Sequence, residues 1–181
     1  YSRHFDKLLV RLGTPLRDDA SPAIVVAAGV CAYHDTKFRS FEPFPDVLPL
    51  LADLQSADVI TGIITHGWTE KQAEKLVRLG VIPHINKDAI FISDEIGISK
   101  PNPKLYETAL NRLKLKAAEV MYVGDSPAHD VAPANSLGMI TAYARRASKW
   151  TPANESERAD YEIDDFEQLR TILREQHGVS I

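Results

Sequence analysis

Short apolar runs rich in β-branched residues recur from residue 59 to residue 163, and a glycine, proline or small polar residue hands each one to a segment with helical spacing. That alternation admits few folds. Parallel strands need a crossover between them, and a crossover helix covers one face of the sheet, so the pattern predicts an α/β fold: a Rossmann-like parallel sheet with helices on both faces. The strands are expected at 59–65, 89–93, 120–123, 140–143 and, short, within 160–163. Asp46 is expected to cap a helix bearing Val47, Leu50, Leu51 and Leu54, and Thr69 with Gln72 three residues on reads as a capping box. Gly80 and Gly138 stop the helices before them. Further helices are expected over 103–113, over 127–137 and at the C-terminal tail.

The first forty residues have a different texture. Phe5, Leu8, Leu9 and Leu12 recur at helical spacing, and Gly13 with Pro15 closes that segment. Ser21-Pro22 starts a second helix carrying Ile24, Val25, Ala28, Cys31, Ala32 and Phe38, although the β-branched run 24–26 leaves a strand there open. Glu42-Pro43-Phe44-Pro45 must be extended, because proline disfavours helical geometry in the residue before it. The segment reads as a linker. Residues 1–43 then form a small helical appendage and residues 44–181 the α/β part.

Composition narrows the partners. A chain of 181 residues with 44% hydrophobic content suits one full domain plus a small addition. Its net charge of -4 offers no basic footprint, and Arg145-Arg146 is its only cationic run, so no nucleic-acid partner is expected. Cys31 is the single cysteine, which excludes an internal disulfide or a thiolate zinc cluster and suits a reducing compartment. The longest apolar stretch, 23–32, is too short to cross a bilayer. A cytoplasmic protein without a membrane partner is expected.

Candidate chemistry gathers at strand ends. Gly124 breaks the run 120–123 and sets Asp125 at the strand's carboxyl end, where open α/β sheets place their ligands. Ser126-Pro127 reads as a helix start, which puts Asp130 in the first turn. The two acids read either as a turn cap and a dipole partner, or as paired carboxylates facing one cleft. Thr65 ends its strand before His66-Gly67, a turn whose hydroxyl and N–H groups suit an oxyanion. Lys100 precedes Pro101-Asn102-Pro103, where two prolines stiffen the backbone behind a cation. Asp125 and Asp130 offer the hard oxygen ligands that Mg²⁺ prefers.

The segments Ile63-Ile-Thr65-His-Gly67, Asp94-Glu-Ile-Gly-Ile-Ser-Lys100-Pro-Asn-Pro103, Val123-Gly-Asp125-Ser-Pro-Ala-His-Asp130 and Ala134-Asn-Ser-Leu-Gly138-Met occur in that order. On them, residues 44–173 resemble the core of the haloacid dehalogenase superfamily, in the subfamily with a helical cap near the N-terminus. The resemblance implies Thr65 as a phosphate-binding hydroxyl, with His66 and Gly67 beside it and Lys100 as the site's lysine. It also implies Asp125 and Asp130 at a Mg²⁺ site, and residues 1–43 as the later part of the cap. The implied reaction is hydrolysis of a phosphate monoester of a small metabolite through an aspartyl-phosphate intermediate.

One departure is large. The family's nucleophile lies in an Asp-x-Asp-x-Thr/Val motif on its first strand, and residues 1–181 contain none; Asp18-Asp19 and Asp35-Thr36 lack the spacing. His66 also stands where the family usually has asparagine. The first strand lies mid-sheet in that family, so its loss should leave two inner strands unpaired along one side. The expectation is therefore a further N-terminal segment carrying the nucleophile. Rival readings are a haloacid dehalogenase, which needs no metal, and a non-catalytic binding protein. A phosphoacceptor signalling domain fits less well, because its acids precede Thr and Lys. Tyr33, His34, Lys37, Trp68, His129, Arg145 and Arg146 are secondary candidates for contacts with substrate, each with a plain surface or packing role as its alternative.

Overall fold

Helical spacing in the first segment becomes two helices, α1 (Ser2–Leu12) and α2 (Pro22–Arg39), and no strand forms at 24–26. The computed structural model describes residues 2–13, 21–39, 41–146 and 148–181, so Pro15, Asp18 and Asp19 lie outside the described residues. The chain divides into two compact units, one ending at Glu42 and the other beginning at Pro43. Inside the first, Phe5 lies on Gly29, where any Cβ would come 2.8 Å from the Phe5 ring, and Tyr33 meets Phe5 edge-on at 6.4 Å.

The second unit alternates as the pattern requires. Helix α3 (Val47–Ser56) leads to strand β1 (Ile63–Thr65), helix α4 (Thr69–Arg78), strand β2 (Ile90–Ile92), the short helix α5 (Ser93–Ile96) and helix α6 (Pro103–Leu113). Strand β3 (Met121–Gly124), helix α7 (Ala132–Ser136), strand β4 (Ile140–Ala144), strand β5 (Tyr161–Ile163) and helix α8 (Phe166–His177) complete it. All pairing is parallel. Helices cover both faces: Leu50 and Leu54 of α3 and Leu169 of α8 pack with Ala142 and Ile163, while Leu105 and Tyr106 of α6 and Ala134 of α7 form a second cluster. Successive residues of β3 serve the two sides, Met121 and Val123 the first cluster and Tyr122 the second, as the two-residue period of a strand dictates. Among the described residues no helix is long and apolar enough to cross a membrane.

The sheet comes in two pieces, β1-β2 and β3-β4-β5. Strands β1 and β3 each carry a ladder on one side only. Ile64 of β1 spans the division from the side, packing against both the cluster of Leu105 and Tyr106 and that of Phe91 and Ala109.

Local differences from expectation have identifiable causes. The strand expected at 59–65 shrinks to three residues, because Thr61 turns to the loop that leads into β2: its carbonyl accepts from Asn86 N–H and its hydroxyl donates to the His84 carbonyl. Asp46 does not cap α3; its carboxylate binds Arg146 and the Phe166 N–H. Thr69 and Gln72 form no capping box. Trp68 occupies the cap position, Asp94 of α5 accepts from the Thr69 N–H and hydroxyl at 3.1 Å each, and Gln72 folds back onto Thr65. Gly124, expected to break a strand, is its last paired residue, opposite Tyr143.

Candidate active site

The segment after β3 opens as a π-turn over Pro127–Val131, not as a capped α-helix, and α7 follows it. Wide turns of this kind insert a residue and re-aim side chains. Here the turn brings Asp130 back over the end of β3. Its Oδ2 accepts from the Ser126 N–H at 3.0 Å, while its own N–H donates to the Ser126 carbonyl at 2.7 Å. The Ser126 hydroxyl lies 3.2 Å from His129 Nδ1, so it caps nothing. The fit is close enough to demand glycine at 124: an added Cβ would stand 2.4 Å from the Asp130 Cβ.

Lys100 meets Asp130 there. Its Nζ is 2.7 Å from Asp130 Oδ1, with the side chains 14% and 6% exposed. A pair this shielded holds only if further hydrogen bonds satisfy both charges. The Tyr122 hydroxyl does part of that, accepting from Lys100 Nζ at 2.7 Å and reaching Asp130 Oδ1 at 3.3 Å. Burial, and next the Asp130 carboxylate, hold the Tyr122 phenol well above its ordinary range, so at neutral pH it remains a hydroxyl. Tyr106, raised by burial first and Asp130 second, donates to the His129 carbonyl at 2.6 Å and stands edge-on to Tyr122.

Asp125 is exposed, and its carboxylate accepts no hydrogen bond from a described residue. Its backbone is fixed instead: the Ser148 hydroxyl donates to the Asp125 carbonyl at 2.6 Å, and Tyr143 donates to Ser148 at 2.8 Å. Asp125 and Asp130 thus differ in what they offer a cation. Asp130 has both oxygens engaged by donors of the chain, and Asp125 has both open. No cluster of three acidic, histidine or cysteine side chains forms among the described residues. Mg²⁺ is commonly held by one or two carboxylates with water and substrate phosphate making up the rest, and an open Asp125 suits that role.

Thr65, His66 and Gly67 form a second group. Thr65 donates to Gln72 Oε1 at 3.0 Å, Gly67 N–H donates to the Ser93 hydroxyl at 3.0 Å, and His66 Nδ1 lies 3.2 Å from the same hydroxyl. Gly67 has φ +135°, a conformation that disfavours any side chain. No hydrogen bond joins this group to Lys100, Asp125 or Asp130 among the described residues; the shared packing of Ile64, Ile98 and Tyr122 around Leu105 and Tyr106 brings the two groups to one core. Ser93, only 3% exposed, is the hub of the second group. Nothing in its sequence neighbourhood marks Ser93, and Tyr122 reads as core; both matter through contacts 22 or more residues away.

Arg145 pairs with Asp164 and Glu162, and Arg146 with Asp46, so both arginines are tied to the scaffold. Trp68 is 72% exposed, and Tyr33, His34 and Lys37 belong to the helical unit.

Residues 12–144 match the model of a family described as haloacid dehalogenase-like hydrolase. The chain is similar to a glyceraldehyde 3-phosphate phosphatase of Methanopyrus kandleri, 43% identical over 177 residues that make up 97% of this chain and 73% of that protein. A protein of the same name from Methanocaldococcus jannaschii is 34% identical over 174 residues, 96% of this chain and 73% of its own length. The crystal structure of a HAD phosphatase from Thermococcus onnurineus superposes with a TM-score of 0.64 at 33% identity, over 72% of this chain and 57% of that one. With its parallel sheets, flanking helices and these matches, the chain belongs to the haloacid dehalogenase-like hydrolase family.

Proposed function

We propose that this chain provides the phosphate-binding and charge-offsetting side of a magnesium-dependent phosphate monoester hydrolase acting on a small phosphorylated metabolite. The observation that carries the reading is the Lys100 ammonium held 2.7 Å from Asp130, one turn of chain beyond an open Asp125. A phosphoryl dianion approached by an anionic nucleophile needs a cation fixed in advance, since reorganising one during the reaction raises the barrier. Lys100 serves as that cation and Asp130 as its anchor. Thr65 and the N–H groups of the turn at His66 and Gly67 receive other phosphoryl oxygens in exchange for Gln72 and Ser93. Asp125 holds the metal. When bound, Mg²⁺ supplies further neutralisation of the phosphoryl oxygens and orients them. Attack by a carboxylate, through an aspartyl-phosphate, belongs to the same reading as the family resemblance implies it.

The archaeal relatives' name makes glyceraldehyde 3-phosphate the first substrate to assay. Phosphate release from it and from p-nitrophenyl phosphate, by a protein that carries this chain together with the Asp-x-Asp nucleophile motif, is measured with MgCl₂ and with EDTA. Release is expected only with Mg²⁺, and Lys100→Ala and Asp125→Asn are each expected to slow it by about 100-fold or more, Asp125→Asn melting like the parent and Lys100→Ala melting lower because it leaves the buried Asp130 charge unpaired. A wild-type rate in Asp125→Asn removes the metal assignment. Halide release from a 2-haloacid in EDTA, without phosphatase activity, supports the dehalogenase reading, and phosphate binding without turnover supports a binding protein.

A further inference from the structure

We infer that Tyr122 is a positioning residue for Lys100: its hydroxyl fixes the direction of the one ammonium N–H left for a ligand, and thereby how tightly the site takes a phosphoryl oxygen. This rests on Lys100 being the phosphate-facing cation of the proposed function. An ammonium has three donors and no acceptor. One donor goes to Asp130 Oδ1 at 2.7 Å and a second to the Tyr122 hydroxyl oxygen, also at 2.7 Å. The phenol sends its own proton on to the same Asp130 oxygen at 3.3 Å. A closed ring results, in which Tyr122 both accepts and donates and a single lysine N–H remains. With Asp130 alone the ammonium is free to swivel about one hydrogen bond; the second contact removes that freedom.

Tyr122 is itself held. Its ring stands edge-on to Tyr106, centroids 4.9 Å apart at 73°, and Tyr106 is fully buried with its hydroxyl on the His129 carbonyl. The chain of contacts runs from the π-turn through Tyr106 and Tyr122 to Lys100, so the turn that carries Asp130 also aims its partner.

Binding of inorganic phosphate to the full chain, measured calorimetrically in MgCl₂, tests this without turnover. Tyr122→Phe keeps the ring and deletes the hydroxyl. Its phosphate Kd is expected to rise about tenfold, as loss of a hydrogen bond to a charged group predicts. In a Lys100→Ala background the same change is expected to do nothing. An unchanged Kd for Tyr122→Phe, or an equal tenfold loss with and without Lys100, overturns the inference. If Lys100→Ala binds phosphate as the parent does, the proposed function falls and this inference with it; if Lys100→Ala binds weakly and Tyr122→Phe normally, only the inference falls. A measurement on the unaltered protein guards against a variant that does not fold. NMR of ¹⁵N-lysine-labelled chain is expected to show one slowly exchanging ammonium, and uniform fast exchange of all the lysines overturns the inference.

Discussion

Asp130 is gripped from several directions at once, and the grip explains why position 124 has no room for a side chain. Lys100, Tyr122 and the Ser126 N–H fix the carboxylate, so it cannot yield to an incoming Cβ 2.4 Å from its own. Gly124→Ala is therefore expected to displace Asp130, cost roughly 1–3 kcal/mol of stability, and weaken phosphate binding along with it. Chemical denaturation and calorimetry on the same samples check both outcomes, and an alanine variant as stable as the parent contradicts the packing described. Sequence spacing identified Thr65 and Asp125 as residues at strand ends and Lys100 and Asp130 as residues at helix starts. It did not show that Asp130 and Lys100 are each other's partners, because a 30-residue separation leaves no local trace. Ser93 and Tyr122 were illegible for the same reason.

Among the elements, the order of the strands and of the longer helices could be read from the alternation, and α6 begins and ends where proline and helical spacing put it, whereas the short α5 and the π-turn at 127–131 could not. Cap assignments fared worse. Asp46 and Thr69 have the chemistry of N-caps, yet a distant partner competes for each: Arg146 for the first and Asp94 for the second. A local motif predicts the local partner only when no better one arrives through tertiary structure. Helix α4 thus takes its N-terminal acceptor from α5, which lies beyond β2 in the chain. Asp94→Ala is expected to remove about 1 kcal/mol, the ordinary worth of an N-cap, and to lower the melting temperature by about 2–4 °C. A scanning melt detects that shift. An unchanged melt means the Thr69 N–H is satisfied by solvent.

Across the whole second unit, one of the long-range ties is the clamp of Asp46 and Arg146. Two parallel hydrogen bonds at 2.8 and 2.9 Å join residues 100 positions apart, and the guanidinium lies 4.0 Å over the Phe44 ring. The Arg146 hydrogen bond, working against desolvation, holds the Asp46 carboxyl below its usual range. A depressed folded-state pKa adds stability that is present above the unfolded value near ~3.9 and is lost as pH falls through the folded value. Asp46→Asn is accordingly expected to cost about 2 kcal/mol at pH 7, with the gap to the parent closing as pH falls below about 4 and through the lowered folded-state value. Urea midpoints at several pH values measure it; a gap that stays constant refutes the linkage. The loop beyond β4 carries one more consequence. The backbone N–H of Trp150 donates to the Ser148 hydroxyl that also holds the Asp125 carbonyl, and Trp150 is 61% exposed. With only one other tryptophan in residues 1–181, Trp68, Trp150 is an intrinsic fluorophore whose backbone is two hydrogen bonds from that of the candidate metal ligand, so its emission is expected to report cation binding without any added dye.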